Sequence, residues 1–161
     1  FRHPHVFGEV SVSGTGEVLS NWEELKRKEK GQATNTDALE AVARLLPALW
    51  RAEKVQKKAK KAGFDWPDVS GALDKLSEEL EELKTAVAEG TNVEEELGDL
   101  LFSAVNVSRF VKVDTEEAHG ATDKFIGRFR KVEEEAARQG RALEGMSLAE
   151  LDKLWEHAKE A

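Results

Sequence analysis

From Pro47 onward, apolar residues return at intervals of three and four, the repeat of one helical face. Pro47 suits a first helical turn, and LPALWRAEKVQKKAKKAG ends at Gly63, a stop signal. FDWPD then reads as a turn, and Pro67 opens a second helix. In it Leu73, Leu76, Leu80, Leu83 and Val87 recur up to Gly90. Asn92 caps a third helix from Val93 to about Val111. Asp114 with Glu117, and Ser147 with Glu150, have the spacing of capping boxes. They start a fourth helix running to Gly140 and a last one ending near Lys159. Short connections make consecutive helices antiparallel. The predicted fold is therefore all-α: an antiparallel four-helix-type bundle with an additional C-terminal helix. Residues 1–36 differ. They begin with β-branched pieces and glycines, then offer a short helix from Glu24 to Lys30, capped by Ser20 or Asn21 and stopped by Gly31. GQATNT reads as a linker, so the chain divides into 1–36 and 37–161.

The acidic positions can be placed on these helices, because each residue turns about 100°. In the second helix the apolar seam centres on Leu80 and Val87. Glu79 and Glu82 lie on one side of it, at about 80° and 140°. Glu78 points away and Glu81 falls on the opposite flank. In the third helix the seam centres on Leu97 and Ala104, and Glu96 and Asp99 repeat the same offsets. LGDLLFSAVNVSRFV is apolar nearly all round, which predicts a buried helix. A carboxylate at its start then needs a partner, since an unpaired buried charge is expensive. Ser103 and Asn106 continue the flank of Glu96 and Asp99 as a polar stripe. VAEGTN turns the chain, so the two pairs meet between antiparallel helices. Glu79, Glu82, Glu96 and Asp99 thereby form an oxygen-ligand set for a hard cation, Mg²⁺ first. The rival is a pair of solvated helix faces.

Other side chains carry weaker signals. Lys124 and Arg128 are four apart, beside Phe125 and Phe129, which are read as core. The two cations are either ordinary surface charges or a phosphate clamp. Trp22, Trp50, Trp66 and Trp155 are core residues by default, although Trp155 can lie against a base. The lysine cluster from Lys54 to Lys61 reads as a solvated face. A di-iron carboxylate site needs two Glu-x-x-His pairs, and the chain has one, Glu116 with His119. His3 and His5 make no closed site.

Composition narrows the field. The 161 residues include 24 Lys+Arg and 32 Asp+Glu, a net charge of −8, and no Cys. Disulfides, thiol nucleophiles and thiolate zinc sites are excluded. No apolar run approaches the roughly 18 residues of a membrane span. The acidic balance argues against nucleic acid as a partner. An anionic substrate is compatible with it when a metal bridges the like charges. Cytoplasmic residence is the default expectation.

KLSEELEEL followed by EEELGDLLFSAVNVSRF fits an E-x-x-E … E-x-x-D pattern. With RAEKVQKKAKKAGFDWPD, DKFIGRFRKVE and LWEHAK, over roughly residues 44–160, it resembles the MazG family of all-α nucleoside triphosphate pyrophosphohydrolases. The likeness is to the C-terminal of two catalytic repeats, and RHPHVFGEV … NWEELKRKEKG resembles the tail of the preceding one. The resemblance implies Mg²⁺-dependent hydrolysis of nucleoside triphosphates to monophosphate and pyrophosphate, with Mn²⁺ as a substitute metal. Glu79, Glu82, Glu96 and Asp99 would be the metal ligands. Asn106, Lys124 and Arg128 would contact phosphates or sugar, and Trp155 the base region. Lys54 and Gln56 match further family positions. Asp123 stands where the family usually has Asn, and residues 38–46 lack its usual Gly-Val-Pro turn. A homodimer is implied as well.

The expected reaction is attack of water on the α-phosphorus, with Glu79 as the base and Lys124 and Arg128 offsetting the charge of the leaving pyrophosphate. Two alternatives stay open: a non-catalytic helical dimerisation or regulatory module, and a pyrophosphatase restricted to deoxy or aberrant nucleotides.

Overall fold

The computed structural model describes residues 33–117 and 120–160. The expected tail of a preceding repeat, its helix at 24–30, His3, His5, Trp22 and His119 lie outside them. Among the described residues are six α-helices and no strand, so the all-α expectation holds. They are α1 (Asn35–Glu40), α2 (Ala48–Lys61), α3 (Val69–Glu89), α4 (Val93–Val111), α5 (Gly120–Arg138) and α6 (Leu148–Glu160). A single 3₁₀ turn, Leu143–Gly145, precedes α6. The chain forms two units, one with α1–α4 and ending at Lys112, the other with α5 and α6.

Local chemistry explains the helix ends. Thr34 and Asp37 form a complete capping box that starts α1, inside the stretch expected to be a linker. Six residues with little apolar periodicity carry no pattern to reveal such a helix. Helix α2 starts after Pro47, as the fixed φ of proline favours. Helix α3 starts two residues later than expected, at Val69. Asp68, not Pro67, marks its beginning, and the Asp68 carboxylate accepts from the Ser70 amide at 2.8 Å. Gly90 closes α3 in the left-handed region at φ 71°, where glycine carries no Cβ penalty. Asn92 occupies the N-cap of α4, but it is itself left-handed and its side chain makes no capping bond. Asp114 accepts from the amides of Glu116 and Glu117, so it caps a turn there. The Ser147–Glu150 box is formed, with the Ser147 amide donating to Glu150 Oε2 at 2.8 Å.

In the first unit α3 and α4 are the most extensively packed pair, joined by the short turn at residues 90–92 and hence antiparallel. Helix α2 packs on α4, and α1 on α2. The buried face of α3 is Ala72, Glu79 and Ala86, seven apart. It is not the leucine seam. Leu73, Leu80 and Val87 stay exposed, Val87 at 61%. Helix α4 behaves likewise: Ser103, Val105, Asn106 and Ser108 are buried, whereas Leu97, Leu101 and Phe102 are exposed. Its expected burial is met only in the C-terminal half. The reason is packing geometry. Small side chains let α3 and α4 approach, while the large ones project from the pair and find no cover within it.

The second unit is held by α5 against α6. Val132, Ala136 and Ala158 are its buried positions. Phe125 and Phe129 are stacked at 6.1 Å, yet both are exposed. They form a surface aromatic group rather than the core expected of them. Arg141 pairs with Glu150 at 2.7 Å, tying the turn before α6 to its first helical turn.

Candidate active site

Glu79 lies on the buried stripe of α3, and Glu96 and Asp99 on the first turns of α4. One carboxylate oxygen from each lies within 4.8 Å of the other two. Glu79 is only 4% exposed, Glu96 is half-buried and Asp99 is exposed. The group thus runs from the interior of the helix pair to its surface. Like charges held this close repel, so the arrangement is costly without a cation. Glu79 Oε1 pairs with Lys75 Nζ at 2.6 Å. Its other oxygen, Oε2, is buried and accepts no hydrogen bond. Buried polar atoms are seldom left so. An orphaned carboxylate oxygen among hard oxygen donors is what a divalent cation such as Mg²⁺ uses.

Glu82 is not one of the three but stands beside Glu79, one turn along α3. Loss of solvent, then the charge of Glu79, raises its carboxyl above the ordinary range, with Lys75 opposing. The residue as a whole is exposed, so this shift belongs to the immediate surroundings of the carboxyl. Lys75 lies between Glu78, at 2.7 Å, and Glu79. Those two bonds, Glu78 first, hold its ammonium well above the usual lysine range.

A cavity of about 850 Å³ reaches from α1 across α2 to these carboxylates. Lys75, Glu79, Asp99, Ser103 and Asn106 supply polar lining, and Leu39, Val55, Phe64, Trp66 and Phe102 an apolar wall. Gln56 is buried in α2 and also lines it. Its Nε2 donates to the Phe102 carbonyl at 2.8 Å, and its Oε1 has no partner. Lys54 is exposed and does not line this cavity. Trp66 depends on Gly71. A Cβ there would meet Trp66 Cδ1 at 2.1 Å, so the Cδ1 corner of the indole occupies the space that a side chain at this position would fill.

The second unit holds the remaining expected residues. Lys124 and Arg128 line a groove of about 530 Å³ along α5, with Gly127, Arg130, Lys131, Glu134 and Lys159. Trp155 packs against Phe125, their rings 4.9 Å apart, and the Arg128 guanidinium lies 6.0 Å from the Trp155 ring.

Of the residues expected from the sequence, the structure brings together Glu79, Glu96 and Asp99 and places Asn106 and Gln56 on the cavity. Asp65, Lys75 and Arg109 are not among those expected, and Trp66 is expected only as core. Lys75 was legible, four residues before Glu79 on the same face. Asp65 and Arg109 are 44 positions apart, and no local period links them.

Residues 68–133 match the MazG nucleotide pyrophosphohydrolase domain. Over 163 residues the chain is 40% identical to a nucleoside triphosphate pyrophosphohydrolase of Escherichia coli (strain K12), covering 98% of this chain and 62% of that protein. Over 159 residues it is 45% identical to the nucleoside triphosphate pyrophosphohydrolase/pyrophosphatase MazG of Thermotoga maritima, covering 98% of this chain and 60% of the relative. The chain therefore spans about three-fifths of the length of these two relatives.

Proposed function

The chain belongs to the MazG family, and on that premise we propose that it hydrolyses nucleoside triphosphates to nucleoside monophosphate and pyrophosphate, with Mg²⁺ as its cofactor and Mn²⁺ as a substitute. One observation carries the reading: the carboxylates of Glu79, Glu96 and Asp99 converge, Glu79 and Asp99 line a cavity, and Glu79 Oε2 is buried and unbonded. These three residues, with Glu82 beside them, would hold the cation. Bound there, it supplies positive charge against the triphosphate and makes a coordinated water more acidic.

The chain's own groups have the following parts. Glu79, the most buried of the acids, is the choice for accepting the proton of the water that attacks the α-phosphorus. Lys124 and Arg128 offset the charge of the departing pyrophosphate. Asn106 offers its side-chain amide to phosphate or sugar oxygen. Gln56, with an unpartnered Oε1 on the cavity, offers an acceptor, and Lys54 a more distant charge. Trp155 is proposed for the base region. The exposed rows Leu73, Leu80, Val87 and Leu97, Leu101 support a second copy of the chain as their cover, and hence a homodimer. Cytoplasmic residence completes the proposal, together with the absence of nucleic-acid partners that a charge of −8 favours. No helix among the described residues is long and apolar enough to cross a membrane.

The test is incubation of the chain with each nucleoside triphosphate and Mg²⁺, with products resolved. Pyrophosphate and monophosphate are expected. Orthophosphate with diphosphate would place attack on the γ-phosphorus, and no turnover would favour a non-catalytic helical module.

A further inference from the structure

Arg109 makes two sets of bonds from one guanidinium. Its Nη1 donates to Asp65 Oδ2 at 3.0 Å, and its Nη2 to Asp65 Oδ1. Its Nε and Nη2 also donate to Asn106 Oδ1, at 3.2 and 2.7 Å. The side chain is 6% exposed, so water does not compete strongly for these donors. The Arg109 hydrogen bond is the main reason the Asp65 carboxyl lies below its usual range, with burial opposing and Lys60 assisting. The pair is therefore firmly ionised, and the fork is fixed at both ends.

This geometry decides something about Asn106. Arginine only donates, and a neutral amide accepts only through its oxygen. With Oδ1 committed to Arg109, the amide cannot turn over without losing two bonds to a buried cation. Its Nδ2 hydrogens are then directed away from Arg109. Asn106 is buried and lines the same cavity as Glu79 and Asp99.

We infer that Arg109 is a positioning residue for substrate recognition: anchored by Asp65, it fixes the Asn106 amide so that Asn106 presents donors alone to an oxygen of the bound nucleotide. The bland alternative is that Arg109 and Asp65 merely tie the loop at residues 62–68 to α4. Loss of such a tie would cost stability and would not act through Asn106. The inference rests on the pyrophosphohydrolase reading, and the experiment separates the two.

The full chain is compared with Asn106→Ala, Arg109→Lys, their double variant and Asn106→Asp. KM and kcat for pyrophosphate release, and melting temperature, are measured for each. Arg109→Lys is expected to raise KM about tenfold, the scale of a hydrogen bond to a charged group, with a smaller change in kcat. In the Asn106→Ala background the same change should add less than about twofold, since the effect passes through Asn106. Asn106→Asp keeps an oxygen for Arg109 but replaces the donor with an anion. It should fold with an unchanged or higher melting temperature, yet raise KM at least as much as Asn106→Ala. Independent, multiplying losses from Arg109→Lys and Asn106→Ala overturn the inference, as does a parental KM in Asn106→Asp. Should Arg109→Lys fail to fold, Asn106→Asp decides alone. A parent that hydrolyses no nucleotide overturns the reading, and the inference with it.

Discussion

The two units hold their charged groups in different ways. In the first, the acids and the arginine are held by each other. Glu79 is paired with Lys75, Arg109 with Asp65 and Asn106, and one carboxylate oxygen each of Glu79, Glu96 and Asp99 lies within 4.8 Å of the other two. In the second, Lys124, Arg130 and Lys131 are exposed along α5, and Arg128 leans on Trp155. The contrast teaches which contacts are set before a ligand arrives. Groups fixed by neighbours pay little ordering entropy on binding, whereas long exposed cations must be immobilised then. The acidic region should accordingly decide whether reaction occurs. The basic region should decide how tightly the nucleotide is drawn in.

The largest effect should follow from breaking the acidic cluster. Asp99→Asn and Glu79→Gln are each expected to lower kcat by more than about 100-fold, above the usual loss for an outer-shell partner. Pyrophosphate release at saturating Mg²⁺ measures this. A retained kcat would end the assignment of these acids. Next in size, Lys124→Gln and Arg128→Gln should each raise KM about tenfold with little change in Mg²⁺ affinity, because a charge-assisted bond to the nucleotide is lost while the carboxylates are untouched. A change in Mg²⁺ affinity instead would erase the division between the regions.

A smaller effect concerns Trp66. Gly71→Ala gains up to about 1 kcal/mol in helix propensity. It also forces Trp66 from its seat, an overpacking cost of about 1–3 kcal/mol. The net should be a lower midpoint in urea, with altered tryptophan emission. Unchanged emission would mean the indole does not lie there. The smallest effect tests the second unit alone. Arg141 first, then the Ser147 amide and hydroxyl, bring the Glu150 carboxyl down to about 2. A lowered folded-state value adds stability above the ordinary carboxylate range, near 4.5, and that stability is lost as pH falls toward 2. The melting-temperature difference between the parent and Glu150→Gln should therefore shrink on acidification from pH 6. A difference that grows would reverse the sign.

How much of this could be read from the chain depends on the range of each interaction. Leucines at three and four spacing gave α3, and Ser147 with Glu150 gave the start of α6, because both signals lie within a turn of helix. The flank shared by Glu96, Asp99 and Asn106 followed from helical geometry. What failed was the direction of burial. A period identifies an apolar face but not what covers it: Leu80 and Val87 centre the apolar seam, yet Ala72, Glu79 and Ala86 are the buried positions. Small residues score weakly in such patterns, yet they allow the close approach of α3 and α4. Trp66, expected in the core, is 39% exposed, and its seat was illegible because it is a missing side chain at Gly71. The Asp65–Arg109 pair escaped because it closes a long loop.

The turn at residues 90–92 has a consequence for how the molecule assembles. All three gathered acids come from the single hairpin it closes, so they meet through contacts local in sequence. Such contacts form early and fast when a chain folds. Here the early step also brings like charges together, so the hairpin closes against its own repulsion. A cation that binds the closed form and not the open chain shifts that balance by mass action. On the proposed reading of these acids, divalent-ion concentration would act on the yield and lifetime of the folded chain as well as on its chemistry.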